Sequence, residues 1–116
     1  MKKDNLSEQS ILFAVEVVKL AKILYEKKEF IISKQLGKSA TSIGANIREA
    51  QYAQSKADFI SKLQIALKES NETDYWLDLL SKTEYITENE YKNLFAMNTS
   101  IRLMLISSIN TAKSNS

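Results

Sequence analysis

Residues 36–80, LGKSATSIGANIREAQYAQSKADFISKLQIALKESNETDYWLDLL, carry an apolar repeat at steps of three and four on either side of a short polar break. Such a rhythm places its members on one helical face, so the stretch reads as two helices folded back on each other. Leu36, Ala40, Ile43, Ile47 and Ala50 form the stripe of the first, and Phe59, Leu63, Ala66, Ser70, Thr73, Leu77 and Leu80 that of the second. The second stripe is apolar at both ends and small and polar in its middle. Ser55, followed three residues later by Asp58, predicts the restart of the helix, because a serine oxygen can accept from an otherwise unpaired backbone N–H.

Gly37 and Gly44 fall inside the first of these helices, where each costs about 1 kcal/mol against alanine unless close packing returns it. With Ser39, Ala40, Ser42 and Ala45 they make a slender rod, and a neighbouring helix is expected close against it. SATSIGANIREA, followed by SKADFISKLQIALKESNETDYWLDLL and preceded by an AVEVVKLAKIL-type first helix, resembles the four-helix-bundle proteins encoded in intervening sequences of bacterial 23S ribosomal RNA genes. The similarity is close over residues 33–83. It implies an up-down bundle assembled into a ring, commonly a pentamer, with no established catalytic activity. It also implies kinship with the accessory proteins of diversity-generating retroelements, basic ring-shaped bundles that bind nucleic acid and a reverse transcriptase.

The rest of the chain agrees with a helical reading. Zero proline and two glycines in 116 residues, with 44% hydrophobic and 26% charged side chains, leave few breakers. We read one all-α domain over residues 1–116, an antiparallel up-down four-helix bundle with helices at about 7–28, 33–54, 55–83 and 88–112. In the first helix Ser7 is the expected N-cap, and Ile11, Val15, Val18 and Tyr25 mark the expected buried face, widened by Leu12, Ala14, Ala21 and Leu24. Residues 28–32, KEFII, form the expected first connection, with Phe30 and Ile31 covering the end of the core. Thr87 and Glu90 make a T-x-x-E capping box for the last helix, whose stripe runs Leu94, Met97, Ile101, Met104 and Ser108, with Leu105 and Ile109 beside it. The tail from Lys113 to Ser116 is expected to fray.

Absences restrict the chemistry. The chain has no histidine and no cysteine, which removes the usual general base and every ordinary zinc site. The Glu-x-x-His motif of di-iron bundles cannot be formed, and no phosphate-binding or dinucleotide-binding glycine loop occurs. No cofactor, no metal and no catalytic residue are therefore expected, and the chain reads as a non-enzyme. Absent cysteines, an apolar run broken by Glu16 without a cleavage pattern, and no membrane-length stretch predict a cytoplasmic protein with no membrane partner.

Two surfaces stand out. Ile65, Glu69, Glu72, Trp76 and Leu79 share a face of the third helix apart from its core stripe, a mixture suited to an oligomer contact, with Trp76 as anchor. The formal charge is +2, but residues 63–90 are net acidic while the flanking segments are net basic, so Lys34 and Lys38 are expected to meet a neighbouring copy's acids in a head-to-tail ring. Lys2, Lys3, Arg48, Lys56, Lys62, Arg102 and Lys113 are expected at the opposite end, where repetition around a ring would build a cationic rim for a phosphate backbone. The leading expectation is a homo-oligomeric scaffold or accessory protein associated with nucleic acid, RNA being the ligand the resemblance implies. The alternative is a protein-interaction module with no nucleic-acid ligand. A carboxylate cluster of Glu49, Glu69 and Glu72 holding a hard cation is a more distant reading, against plain ion pairing.

Overall fold

A computed structural model describes residues 2–115, with the side chains of residues 2–4 outside that description. It contains four helices: α1 (Lys2–Glu26), α2 (Phe30–Gln51), α3 (Lys56–Lys82) and α4 (Glu88–Ser114). They form an antiparallel bundle of 48 × 23 × 20 Å in which α2 packs between α1 and α3, and α4 closes the square. Among the described residues no helix is long and apolar enough to cross a membrane.

The two capping motifs define their helices as the residues dictate. Ser55 Oγ accepts from the Asp58 N–H at 3.0 Å while Asp58 accepts from the Gln54 N–H at 3.2 Å, so α3 starts at Lys56. Thr87 and Glu90 exchange both bonds of a full capping box, at 2.7 and 3.0 Å. Other boundaries differ from the sequence reading. α1 begins at Lys2, so Ser7 lies inside the helix rather than capping it. Phe30 and Ile31 belong to the first turn of α2 and are 51% and 76% exposed, so they do not cover the core. α2 ends at Gln51, and α4 continues to Ser114 through the expected frayed tail.

The larger correction concerns α1. Its buried face is Leu6, Ser10, Phe13, Val17 and Leu24, whereas Ile11, Leu12, Val15, Val18 and Tyr25 are exposed. α1 is apolar over most of its circumference, and its partner selects the face. A Cβ built on Gly44 would stand 3.2 Å from Ser10 Oγ, and one on Gly37 3.8 Å from Ala21 Cβ. Ser33 Oγ adds a 2.7 Å bond to the Ala21 carbonyl of α1. These small groups bring the helices together along one line, which rotates Phe13 and Val17 inward.

Both chain reversals at one end of the bundle use the same device. Glu29 N–H donates to Leu24 O and Lys28 N–H to Tyr25 O; Tyr85 N–H donates to Leu80 O and Glu84 N–H to Ser81 O. These are Schellman closures, and their left-handed residues are Lys28 (φ 67°) and Glu84 (φ 66°) in place of the usual glycine. A left-handed L-residue is disfavoured by roughly 1–2 kcal/mol. Lys28→Gly and Glu84→Gly are each expected to stabilise the fold, by about 0.5–1 kcal/mol once glycine's greater unfolded-state freedom is set against the relief. Urea unfolding followed by circular dichroism checks this; a loss of stability would show that the side chains supply more than they strain.

Candidate interaction surfaces

A polar seam crosses the middle of the core where the α3 stripe turns small and polar. Thr73 Oγ1 donates to Ser39 Oγ at 2.9 Å, linking α3 to α2. One turn earlier on α3, Ser70 Oγ donates to Asn98 Oδ1 at 2.7 Å, and Asn98 Nδ2 donates to the Ser70 carbonyl at 2.9 Å and to Asp74 Oδ1 at 2.7 Å. Asp74 then pairs with Arg102 Nη1 at 2.5 Å, with side chains 21% and 18% exposed, and Arg102 Nη2 donates to Thr99 Oγ1. Among the described residues, no buried side-chain polar atom lacks a partner, which is the condition for such a seam to be tolerated.

Of the residues expected to form one cationic rim, Arg48, Lys56, Lys62 and Lys113 lie toward the end where α2 and α4 finish and α3 begins, but Arg102 does not join them. Arg102 is bound into the seam at mid-bundle. Lys62 pairs with Glu49 at 3.5 Å across α2 and α3, and Lys56 Nζ donates to the Asn115 carbonyl. Lys113 is exposed and engaged, the side chains of Lys2 and Lys3 lie outside the described residues, and Arg48 is exposed on α2. Lys34 and Lys38 are also exposed on α2. On α3, Ile65 is exposed while Glu69, Glu72, Trp76 and Leu79 are half-buried. Trp76 packs against the core edge, donates its indole N–H to Glu72 Oε2 at 3.2 Å, and meets Tyr75 edge to face. Glu49 turns to Lys62 and Glu72 to Trp76, so the three carboxylates considered for a cation do not converge; no group of three metal-ligating side chains occurs among the described residues.

What the sequence reading missed is the outside of α1. Ile11, Leu12, Val15 and Val18 are between 39% and 55% exposed and adjoin one another on one helical face; further along α1, Ile23 and Tyr25 are also exposed, and Phe30 meets Tyr25 edge to face. Beside the four adjoining residues, a groove of about 450 Å³ runs between α1 and α2, floored by Ser10, Ala14, Gly44 and Ala45 and bordered by Ile11 and Arg48. The signal for this strip was present: α1 carries more apolar residues than one face can hold.

The sequence model of the 23S rRNA-intervening sequence protein family matches residues 2–107. The chain belongs to this family. A solved structure from Bacteroides thetaiotaomicron VPI-5482, described as a protein with unknown function from the S23 ribosomal protein family, is 56% identical to it. That likeness covers 95% of this chain and 99% of the other, with a TM-score of 0.91. No curated protein matches.

In this 23S rRNA-intervening sequence family member the two Schellman turns are tied together by Tyr85, whose hydroxyl donates to Glu29 and whose ring lies 5.8 Å from Lys27 Nζ. The bond to Glu29, then burial, then the Glu29 charge hold the Tyr85 hydroxyl above its ordinary value of 10.0. The folded state therefore binds this proton more tightly than the unfolded chain. The resulting stability is complete below about pH 10 and is lost as pH rises through the raised value. We expect stability to fall above about pH 10 and Tyr85→Phe to flatten that fall, measured by unfolding at a series of pH values; equal slopes for both proteins would refute the assignment. At the seam, Asp74→Ala strands Arg102 and one Asn98 donor and is expected to destabilise by about 1–3 kcal/mol. The double variant Asp74→Ala, Arg102→Ala should lose less than the sum of the singles, and simple additivity in that cycle would show the pair to be uncoupled.

Proposed function

We propose that the chain is a non-enzymatic, cytoplasmic scaffold that works as a homo-oligomer, the ring of the family resemblance being its closed form. The observation that carries this is the strip Ile11, Leu12, Val15 and Val18, about half exposed on the outer face of α1. Fully burying an aliphatic side chain is worth about 1.5–3 kcal/mol, so completing the burial of four half-exposed ones supplies about 3–6 kcal/mol toward association. A contiguous strip of that kind, beside a small-residue groove, marks an interaction surface rather than scattered surface apolarity. The absence of histidine and cysteine supports the non-enzymatic part.

Association with RNA is the second reading. It is favoured by the names that the family and the solved relative carry, which refer to 23S rRNA and to a ribosomal protein, and by exposed cations along α2, Lys34, Lys38 and Arg48. Without RNA the same body serves as a protein-interaction module.

Sedimentation velocity tests the leading reading. The wild-type protein is expected to sediment as a multiple of 13.2 kDa, and Val15→Asp, at an exposed position, to reduce it to single subunits with helicity intact. A wild-type protein that remains a single subunit at high concentration overturns the scaffold reading. An electrophoretic mobility assay with a 23S rRNA fragment over a salt series tests the second: binding that weakens steeply with salt and is lost in Arg48→Glu supports it, and no shift at low salt removes it.

A further inference from the structure

The buried stripes fill the core along most of the bundle, but two of them run out into small residues at the same place. On α2, Ile43 and Ile47 give way to Ala50, and on α4 the row of Met97 and Met104 continues into Ser108. Both positions fall toward the end where α2 and α4 finish and α3 begins. The volume they leave is a pocket of about 220 Å³ to which all four helices contribute: Leu6 of α1, Ile47 and Ala50 of α2, Phe59 and Leu63 of α3, and Ser108 of α4. Leu6, Ile47, Ala50 and Leu63 are buried members of the core and Phe59 packs against it, so the pocket is a recess of the core itself.

The lining excludes most ligand chemistry. Other grooves on the molecule are bordered by charged side chains, Arg48, Glu16 and Asp78 among them, whereas no charged side chain borders this one. A carboxylate, phosphate or ammonium group entering it would give up its hydration and find no counter-charge. Size sets a second limit. An apolar cavity of about 150 Å³ admits benzene, so a pocket of about 220 Å³ takes one substituted ring or two fused ones, and pockets for drug-sized molecules begin at about 300 Å³.

Two polar groups complete the site. Ser108 is half-buried, and among the described residues its hydroxyl makes no hydrogen bond. Thr41 and Thr73 bond back to the preceding turn of their helices, as short hydroxyl side chains commonly do; Ser108 does not. Since no buried side-chain polar atom among the described residues goes unpaired, the Ser108 hydroxyl is within reach of solvent. The Gln51 carboxamide, on an exposed residue at the border of the pocket, is likewise unengaged among the described residues and can donate or accept. A ligand hydroxyl or ring N–H would meet one of these groups while its ring lies against Phe59 and the aliphatic wall, where an aromatic neighbour adds to plain burial.

We infer that this pocket is a binding site for a small neutral aromatic molecule bearing one hydroxyl or N–H group, of the size of phenol or indole. The site is independent of how the molecule assembles and uses neither the α1 strip nor the α2 cations.

Methyl NMR of the full chain, titrated with phenol and separately with indole, tests the inference. Saturable shifts are expected at the methyls of Leu6, Ile47 and Leu63, with a Kd of about 1 mM or tighter, and none with benzoate or benzylamine at the same concentrations. The double variant Gln51→Ala, Ser108→Ala keeps the wall and removes both polar groups, so phenol should bind about 3- to 10-fold more weakly while toluene is unaffected. Ser108→Leu fills the recess and is expected to abolish phenol binding with helicity intact by circular dichroism. Should that chain fail to fold, Ala50→Leu fills the same space from α2 and carries the same expectation. The inference is overturned if wild type shows no saturable shift, if the shifts fall elsewhere, or if benzoate or benzylamine binds as well as phenol. It is overturned equally if the double variant changes phenol and toluene alike, which would make the recess a generic void, or if a folded filling variant still binds phenol.

Discussion

The near-absence of side-chain volume on one face of α2 governs the packing of everything else. Gly37 and Gly44 admit Ala21 and Ser10 of α1, and the hydroxyls of Ser33 and Ser39 reach a carbonyl of α1 and a hydroxyl of α3. A helix built from alanine, serine and glycine has few large side chains to interdigitate, so its neighbours approach until backbone and small groups touch. Glycine is intrinsically poor in a helix; at Gly44 the close approach of Ser10 offsets that, whereas at Gly37 an added methyl would meet Ala21 only at ordinary van der Waals distance. The consequence reaches the surface. Because α1 must present small residues at Ser10 and Ala21, its rotation is fixed, and the aliphatic residues roughly a third of a turn away are left outside.

The polar seam is the second constraint. Asn98, Ser70 and Thr73 are fully buried, and an all-apolar layer would give more stability for the same volume. What the seam supplies instead is registry. Asn98 uses both its amide oxygen and its amide nitrogen on α3, and sliding α4 by one turn would strand those groups together with Asp74 and Arg102. The aliphatic layers above and below, Leu94, Ile101, Leu105 and Ile109 on α4, tolerate such a slip far better, since exchanging one branched apolar side chain for another of similar volume costs little.

Legibility followed the uniqueness of each pattern. On α2 and α3 only one face could serve as the core, so Leu36, Ala40, Ile43 and Ile47, and Leu63, Ala66, Leu77 and Leu80, were readable from spacing and are buried. On α1 two faces competed, Ile11, Val15 and Val18 against Phe13 and Val17, and periodicity has no means of choosing; the choice lies in the glycines of another helix. Thr87 and Glu90 announced the start of α4, whereas Lys28 and Glu84 concealed the turns they make, since a left-handed cap without glycine leaves no trace in the sequence. Arg102 shows the same limit for the candidate sites. Its charge is visible, but its removal from the surface depends on Asp74, twenty-eight residues away and brought near only by the pairing of α3 with α4.

Charge, too, is organised by this pairing rather than by amount. A formal charge of +2 gives little electrostatic reason to bind anything, and the sum is uninformative because Lys62, Lys82, Lys92 and Arg102 are paired with carboxylates while, among the described residues, Lys34, Lys38 and Arg48 of α2 are not. Among what that pairing leaves are Lys34, Lys38 and Arg48 along one stripe of α2, beside aliphatic side chains that water solvates poorly. Counterion release would suit such a stripe to a polyanion, and hydrophobic burial would suit its border to a protein.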